Sequence, residues 1–458
     1  MARAVRVRML LLFDHGTLLL REAPHPRALA DLPGALWDER VRALRFPARF
    51  HDRVVAELRR RGVRFTDQVT ETGATPPALG EVALRPYQEA AFEAWHLAGR
   101  RGLAVLPTGS GKTRLAIAAM ARTGARTLCL VPTRVLLDQW ARAIQELTGV
   151  VPGRLGDGEQ RVAPLTVATF ESGWRRMAEL GNRFELLVVD EAHHFGCGMR
   201  DEALDMSIAP WRLGLSATPP GGSAAARLGE LLGPVIYELR VDELVGEFLA
   251  PFESVILHLD LDPDERTEYE RLNAVFRDFL RRFRAMQPNA TWDELARTAG
   301  RTDEGRRALA AWQRCRRLLA FPSAKRHMLG TLLERHRDNR VIVFTADNAT
   351  AYAVSRQHLV MPLTCHIVRK ERERVLELFR QGRLRALVSA QVLNEGLDVP
   401  DADVGIVVAG SKGGREHVQR VGRVLRPRPG KRALVYELVV RATGEEAQAR
   451  RRRRALAA

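Results

Sequence analysis

Short apolar runs alternate with segments of helical spacing through the middle of this chain. Between residues 84 and 248 the runs fall at 103–106, 127–131, 165–169, 186–189 and 213–216. Runs of this length suit strands buried on both faces, and the segments between them repeat apolar positions every three or four residues. The alternation predicts a parallel sheet covered by helices. It stops at 262–320, where Tyr269, Leu272, Phe276, Phe279, Leu280 and Phe283 follow one helical face with arginines between them. Thr291-Trp292-Asp293-Glu294 predicts a capping box opening a further helix. From about 325 the strand rhythm returns, at 341–345, 386–389, 404–409 and 433–439.

The first 66 residues predict a small mixed α+β unit. Its strand-like runs surround His15-Gly16 and start where Val5, Val7 and Met9 alternate with Arg6 and Arg8; a helix is expected near 52–61. The expected organisation is therefore α/β. An N-terminal unit (1–66) and a linker (67–83, with Thr75-Pro76-Pro77) precede a parallel-sheet domain (84–248). A connector with a helical insert (249–324), a second parallel-sheet domain (325–445) and a basic tail (446–458) complete it.

Charge narrows the function. The 458 residues carry 72 Lys and Arg against 55 Asp and Glu, a net charge of +17. Such an excess favours a polyanionic partner, nucleic acid being the simplest. Lysine occurs only at positions 112, 325, 370, 412 and 431, so the preference for arginine reads as the bias of a GC-rich genome. That bias does not account for the excess over acids. Cys129, Cys197, Cys315 and Cys365 are scattered, which gives no disulfide framework and no zinc or iron–sulfur spacing. A reducing cytoplasm is the expected setting. The apolar run near the start ends at Asp14, too short for a signal sequence, and no stretch is long enough to span a membrane.

The candidate chemistry begins at Pro107-Thr108-Gly109-Ser110-Gly111-Lys112-Thr113, between a predicted strand and a predicted helix. Glycines there let backbone N–H groups turn inward around phosphates, and the helix N-terminus adds its positive end. Lys112 can reach the β- and γ-phosphates, and the Thr113 hydroxyl can hold Mg²⁺. A second element completes such a site. The apolar run 186–189 ends in Asp190-Glu191-Ala192-His193. Asp190 can bind the metal through water, and Glu191 can polarise the attacking water. ATP and Mg²⁺ are the expected cofactors. His194 reads as a surface histidine.

These and further motifs resemble superfamily 2 helicases across both parallel-sheet domains, which implies two RecA-like domains. The strict phosphate-loop pattern would place a glycine at 106, where this chain has leucine; the form starting at Pro107 is the one that superfamily uses. Leu84-Arg85-Pro86-Tyr87-Gln88 resembles the adenine-reading motif, with Arg85 and Gln88 at the nucleotide. Pro132-Thr133-Arg134 and Thr169 stand where a strand's phosphates are gripped. Ser216-Ala217-Thr218 resembles the motif linking the ATP site to nucleic acid, and His193 couples the two halves. In the second domain, Thr345 closes the fourth motif, and Asn394, Gly396 and Asp398 lie in the fifth. There Asn394 and Thr345 would serve nucleic acid, Gly396 and Asp398 the nucleotide. Gln419-Arg420-Val421-Gly422-Arg423-Val424-Leu425-Arg426 resembles the sixth motif, with Gln419 in the catalytic set and Arg423 and Arg426 as arginine fingers.

The details resemble the XPB family of DNA repair helicases, in its short archaeal and bacterial form. The helical insert matches that family's thumb. The N-terminal unit, with Gly16-Thr17-Leu18 and Leu36-Trp37-Asp38, is similar to its damage-recognition domain. The resemblance implies ATP-driven 3′ to 5′ movement on DNA, and a nuclease partner such as archaeal relatives use. One element departs from it. The family carries Arg-Glu-Asp after the third motif, linked to unwinding, and here residues 219–226 hold no such triplet. A duplex translocase without strand separation, an RNA motor and an ATP-gated clamp recruiting a nuclease stay open. So does the N-terminal unit's role: its arginines, among them Arg59, Arg60, Arg61 and Arg64, could contact phosphates, or the unit could cap the first parallel-sheet domain.

Overall fold

The computed structural model describes residues 9–23, 25–71, 73–218, 221–239, 252–390, 402–409 and 433–457. The chain divides into two compact units, Met1–Arg240 and Val241–Ala458.

The first unit holds two sheets. The N-terminal sheet contains β1 (Met9–Asp14), β2 (Thr17–Arg21), β3 (Leu36–Asp38), β4 (Ala43–Pro47) and β5 (Phe65–Gln68), in the order β3-β4-β2-β1-β5. β1 and β2 form a hairpin whose turn, His15-Gly16, has both residues in the left-handed region, the geometry that matches strand twist. The residues before Met9, where the sequence places a first strand, lie outside those described. The predicted helix is present as His51–Arg60 and packs Val54, Val55 and Leu58 on the sheet. The structure carries the last strand to Gln68 and buries Val69 completely, so the sheet ends inside the segment that reads as linker.

The second sheet comprises β6 (Arg101–Val105), β7 (Thr127–Val131), β8 (Gly153–Gly156), β9 (Glu159–Arg161), β10 (Leu165–Thr169), β11 (Leu186–Val189), β12 (Trp211–Ser216) and β13 (Val235–Glu238). Its order is β13-β6-β12-β11-β7-β10-β8-β9, parallel except for the β8–β9 hairpin at one edge. The predicted runs are its central strands. Buried on both faces, they are apolar at nearly every position, and helices 86–97, 112–123, 134–148 and 170–180 fill the connections.

The N-terminal sheet rests on the edge of this sheet where the parallel strands begin. Ile208, before β12, belongs to the N-terminal hydrophobic core. A Cβ on Gly16 would stand 2.5 Å from Met206, so the hairpin turn needs glycine for close approach as well as for its φ of 82°. Arg49 pairs with Asp205 at 2.6 Å. The strap after β5 is stitched down by Asn182 donating to Val69 O (3.0 Å), Arg126 donating to Glu71 O (2.7 Å) and the Arg183–Glu71 pair (2.9 Å). The N-terminal sheet thus covers this edge of the second sheet.

The second unit holds a parallel sheet of β14 (Phe252–Leu259), β15 (Val341–Phe344), β16 (Met361–Leu363), β17 (Ala386–Ser389), β18 (Val404–Val407) and β19 (Ala433–Val440), ordered β14-β19-β18-β15-β17-β16. β14 pairs with β19 over eight residues, so part of the expected connector is an edge strand of this domain. The insert is helical: 263–286, 292–300 and 303–320, the second opened by the predicted Thr291–Glu294 capping box. The tail is the helix Gly444–Ala457, docked by the buried pair of Arg452 with Glu437 on β19.

Candidate nucleotide site

β6 ends at Val105 and the helix Lys112–Thr123 begins seven residues later; the intervening loop is the phosphate-binding candidate. Gly109 and Gly111 have φ of 88° and 79°, which L-residues adopt at a cost, and Gly111 is the helix N-cap. The Ser110 hydroxyl donates to Pro107 O at 2.7 Å. Lys112 Nζ donates to Leu106 O (3.1 Å) and Pro107 O (3.3 Å), so the ammonium lies over the loop. Thr113 follows it in the first helical turn.

The loop is braced from the helix Pro86–Leu97. Tyr87 Oη donates to Ser110 O at 2.7 Å. Gln88, only 1% exposed, donates through Nε2 to Ser110 O (2.7 Å) and Gly111 O (3.2 Å) and accepts from the Arg85 N–H at 2.9 Å. Both ends of the Gln88 amide are engaged in this way. Reading a base would require it to exchange these bonds. Arg85 itself is exposed at the head of the helix.

Asp190 stands at the end of β11, two strands from the loop. Its carboxyl accepts from Trp140 Nε1 and from the Glu191 N–H, both at 2.9 Å. Burial pushes its pKa up; the Lys112 ammonium and these two donors pull it back. Trp140 escaped the sequence reading because it lies on the apolar face of helix Arg134–Thr148 and patterns as core. Glu191 holds φ of 47°, a left-handed position for a non-glycine residue and a site of local strain.

β12 lies between β6 and β11, which explains the placement of the coupling residues. Ser216 O accepts from Leu106 N at 2.9 Å. The Ser216 hydroxyl lies 3.4 Å from His193 Nδ1 and donates to Thr218 O at 2.7 Å, while Ala217 is buried between them in sequence. One residue therefore touches both the phosphate loop and the acidic segment. His194 stacks on His193 and meets Phe170 edge-on.

The residues expected at nucleic acid are spread out. Thr133, after Pro132, caps its helix by accepting from Leu136 N, and Arg134 pairs with Asp157 while exposed. Thr169 caps the next helix through Ser172 N. Thr345 is fully buried, its hydroxyl donating to Asp347 O and Ser389 O, so any strand contact there falls to the backbone of the turn. Arg60 and Arg61 are committed to Glu57, and Arg61 also to Asp31. Asn394, Gly396, Asp398, Gln419, Arg423 and Arg426 lie outside the described residues.

The residues present fit a nucleoside triphosphate with Mg²⁺. Within the loop, Thr108 Oγ1 is buried without a hydrogen-bond partner. Among the described residues no three acidic, histidine or cysteine side chains cluster as a metal cage. Thr113 and Asp190 with phosphate oxygens are the kind of partial ligand set Mg²⁺ takes.

Comparison with known proteins places this geometry. Family models match for the type III restriction enzyme res subunit (residues 81–221), the helicase conserved C-terminal domain (324–428) and the xeroderma pigmentosum group B helicase damage recognition domain (11–69). The DNA 3′-5′ translocase XPB2 of Sulfurisphaera tokodaii is 34% identical over 92% of this chain and 96% of its own length. The putative DNA 3′-5′ helicase Rad25 of Halobacterium salinarum is 31% identical over 85% of this chain, and the DNA 3′-5′ helicase XPB of Mycobacterium tuberculosis 28% over 82%. This chain spans 60% and 64% of those two proteins. Among solved structures, the Pyrococcus furiosus Hef helicase domain superposes with a TM-score of 0.53 at 20% identity, covering 81% of this chain and 98% of that one. S. cerevisiae Dbp5 bound to RNA and ADP BeF3 gives 0.56 at 16%, covering 81% and 88%. Both likenesses establish the RecA-like helicase fold.

Proposed function

The chain belongs to the XPB family of superfamily 2 helicases, and on that footing we propose that it is an ATP-dependent DNA motor of repair, moving 3′ to 5′. One constellation carries the reading. Left-handed glycines lead into Lys112, whose ammonium lowers the pKa of the buried Asp190 carboxyl, and Ser216 bridges the two segments. When bound, the nucleotide with Mg²⁺ supplies the phosphoryl group transferred to water.

Every other part belongs to this chain. Lys112 exchanges the Leu106 and Pro107 carbonyls for phosphate oxygens. Thr113 and Asp190 would hold the metal, and Glu191 would orient the attacking water. His193 and Ser216 pass the state of the acidic segment to the end of β12. Arg423 and Arg426, as arginine fingers, and Gln419 are the remaining catalytic residues that the family resemblance implies; they would act on the charge developing at the transferred phosphoryl group. DNA is the partner, consistent with the net charge of +17; a nuclease working beside the motor is a further proposed partner. With no Arg-Glu-Asp triplet at 219–226, movement along duplex without strand separation is the second reading.

The test is ATP turnover with single-stranded, duplex and forked DNA and RNA side by side, paired with strand displacement. DNA should stimulate turnover and RNA should not. Equal stimulation by RNA would replace the DNA assignment, and turnover without displacement would select the translocase.

A further inference from the structure

The helix Arg134–Thr148 buries Leu137, Trp140, Ala141 and Ile144, and it packs on β7, β8 and β10. Leucine or phenylalanine would fill such a core position. An indole brings an N–H that costs free energy there unless it finds an acceptor. Trp140 is 1% exposed, and among the described residues its one acceptor is Asp190 Oδ2, at 2.9 Å.

Asp190 depends on the bond in turn. A carboxylate rotates about its last side-chain bond and offers about four acceptor positions. Trp140 Nε1 engages Oδ2, and the Glu191 N–H engages Oδ1. Two donors on different oxygens fix the plane of the group and leave acceptor positions on both. The Glu191 donor is the next residue of the acidic segment and moves with it. Among the described residues, Trp140 is the only hydrogen-bond donor to this carboxyl from another element. The metal-side carboxylate is therefore held in place by the helix.

The same helix starts at the residues expected at a strand's phosphates. Thr133 caps it by accepting from Leu136 N at 3.2 Å. Arg134, exposed, reaches Asp157 in the turn between β8 and β9 at 3.1 Å. An exposed pair of that kind is weak, so a phosphate can take the guanidinium from it. Trp140 lies about two turns further on, about 10 Å along the axis. Between them the buried Asp138 pairs with Arg154 on β8, which pins the helix to the sheet. A strand at the first turn and a metal at Asp190 would thus be held by one rigid element. Ordering that element for one lowers what the other must supply, so each should strengthen the other.

We propose that Trp140 is a positioning residue: it fixes the Asp190 carboxyl for the metal and ties it to the helix start that meets a strand's phosphates. The tie to the strand rests on the DNA-motor reading; the hold on Asp190 rests on the nucleotide site alone.

The test is the Mg²⁺ concentration needed for half-maximal binding of a fluorescent ADP analogue to the full chain, with and without oligothymidylate. Trp140→Phe keeps an aromatic ring and removes the donor. It should raise that concentration about tenfold, the loss that outer partners of metal ligands cause, while binding without Mg²⁺ stays within about twofold. In Asp190→Ala, adding Trp140→Phe should cost less than about twofold, since the carboxyl it acts on is gone. Saturating oligothymidylate should lower the wild-type Mg²⁺ requirement about fivefold and leave that of Trp140→Phe unchanged. A wild-type requirement in Trp140→Phe, or an equal added loss in Asp190→Ala, overturns the hold on Asp190. A DNA shift that survives Trp140→Phe overturns the tie to the helix start. If Trp140→Phe melts below wild type, benzothienylalanine in place of Trp140 decides. It has the indole shape with sulfur instead of N–H, and wild-type behaviour there overturns the proposal. Absence of DNA-stimulated turnover in the wild type would sink the motor reading and the tie with it; the titration without DNA still decides the hold.

Discussion

Gly111→Ala tests whether Gln88 braces the phosphate loop. A Cβ at position 111 would stand 2.5 Å from Gln88 Nε2, in a residue whose φ is 79°. Left-handed backbone costs an alanine about 1–2 kcal/mol. Gln88 is buried, so moving aside breaks its bonds to Ser110 O and Gly111 O, worth about 1 kcal/mol each. The free loop can relax out of the left-handed cradle, but the nucleotide-bound loop cannot. The sum, about 3–4 kcal/mol, should therefore appear as a loss of ATP affinity of at least about 10²-fold. With Gln88→Ala already present the clash is gone, and the same glycine change should cost only about tenfold. The difference is a coupling of about 2 kcal/mol between two residues in contact. Titration of a fluorescent ATP analogue against the four proteins measures it, with GTP as competitor. Additive losses, together with lost preference for ATP over GTP in Gln88→Ala, would refute the brace and leave Gln88 as a base reader.

Glu191→Gln should retain ATP binding and lower kcat by about 10²-fold or more in single-turnover assays; a near-normal kcat would assign the water to another carboxylate. Removing residues 1–83 uncovers Ile208, whose burial is worth about 1.5–3 kcal/mol, and separates Asp205 from Arg49. The shortened chain should melt lower and self-associate in size-exclusion chromatography, and Ile208→Ser should restore its solubility; a monodisperse product with wild-type melting would refute the cap. Hydrogen bonds from Arg60 and then Arg61 hold the Glu57 carboxyl at about 2, below its usual 4.5. A depressed carboxylate stabilises the fold above the unfolded value and stops doing so as pH falls through the folded one. Amide protection in helix 51–60, taken relative to the intrinsic exchange rate at each pH, should therefore fall between about pH 4.5 and 2, and Glu57→Gln should abolish that dependence.

The strands that could be read from sequence are those whose burial on both faces leaves little choice of residue, such as Leu186–Val189 and Val341–Phe344. Edge strands face solvent on one side and lose that signature. In β14, Glu253, Ser254 and His258 interrupt the apolar positions, so the strand reads as connector until its register with β19 is seen. β8, β9, β13 and β16 are short edge or near-edge strands of the same kind. The phosphate loop was legible because its backbone geometry restricts residue type at Gly109 and Gly111. Trp140 was not, since a buried aromatic donor patterns like any core residue, and Tyr87 stood in its motif without the loop contact being legible.

Buried charge was the least legible feature, and Arg212 shows why. In an arginine-rich chain it reads as one more surface cation, yet it is completely buried at the start of β12. Its guanidinium donates to the carbonyls of Ala209, Leu204, Leu231 and Ser207. Burial, then the nearby Arg101 and Arg49 cations, pushes its pKa down to about 9, so it stays charged at neutral pH. Those carbonyls shape the loop bearing Asp205, Met206 and Ile208, the same residues that meet Arg49, Gly16 and the N-terminal core. The other end of β12 is Ser216, which touches both the phosphate loop and His193. A single strand thus runs from the docking edge to the coupling residue, about 15 Å of extended backbone. Replacing Arg212 with leucine would keep the apolar packing and strand four carbonyl acceptors, each costing about 1–3 kcal/mol where water does not enter. The resulting shift would begin at the N-terminal contact and be transmitted along β12, because a central strand hydrogen-bonded on both sides cannot move at one end alone.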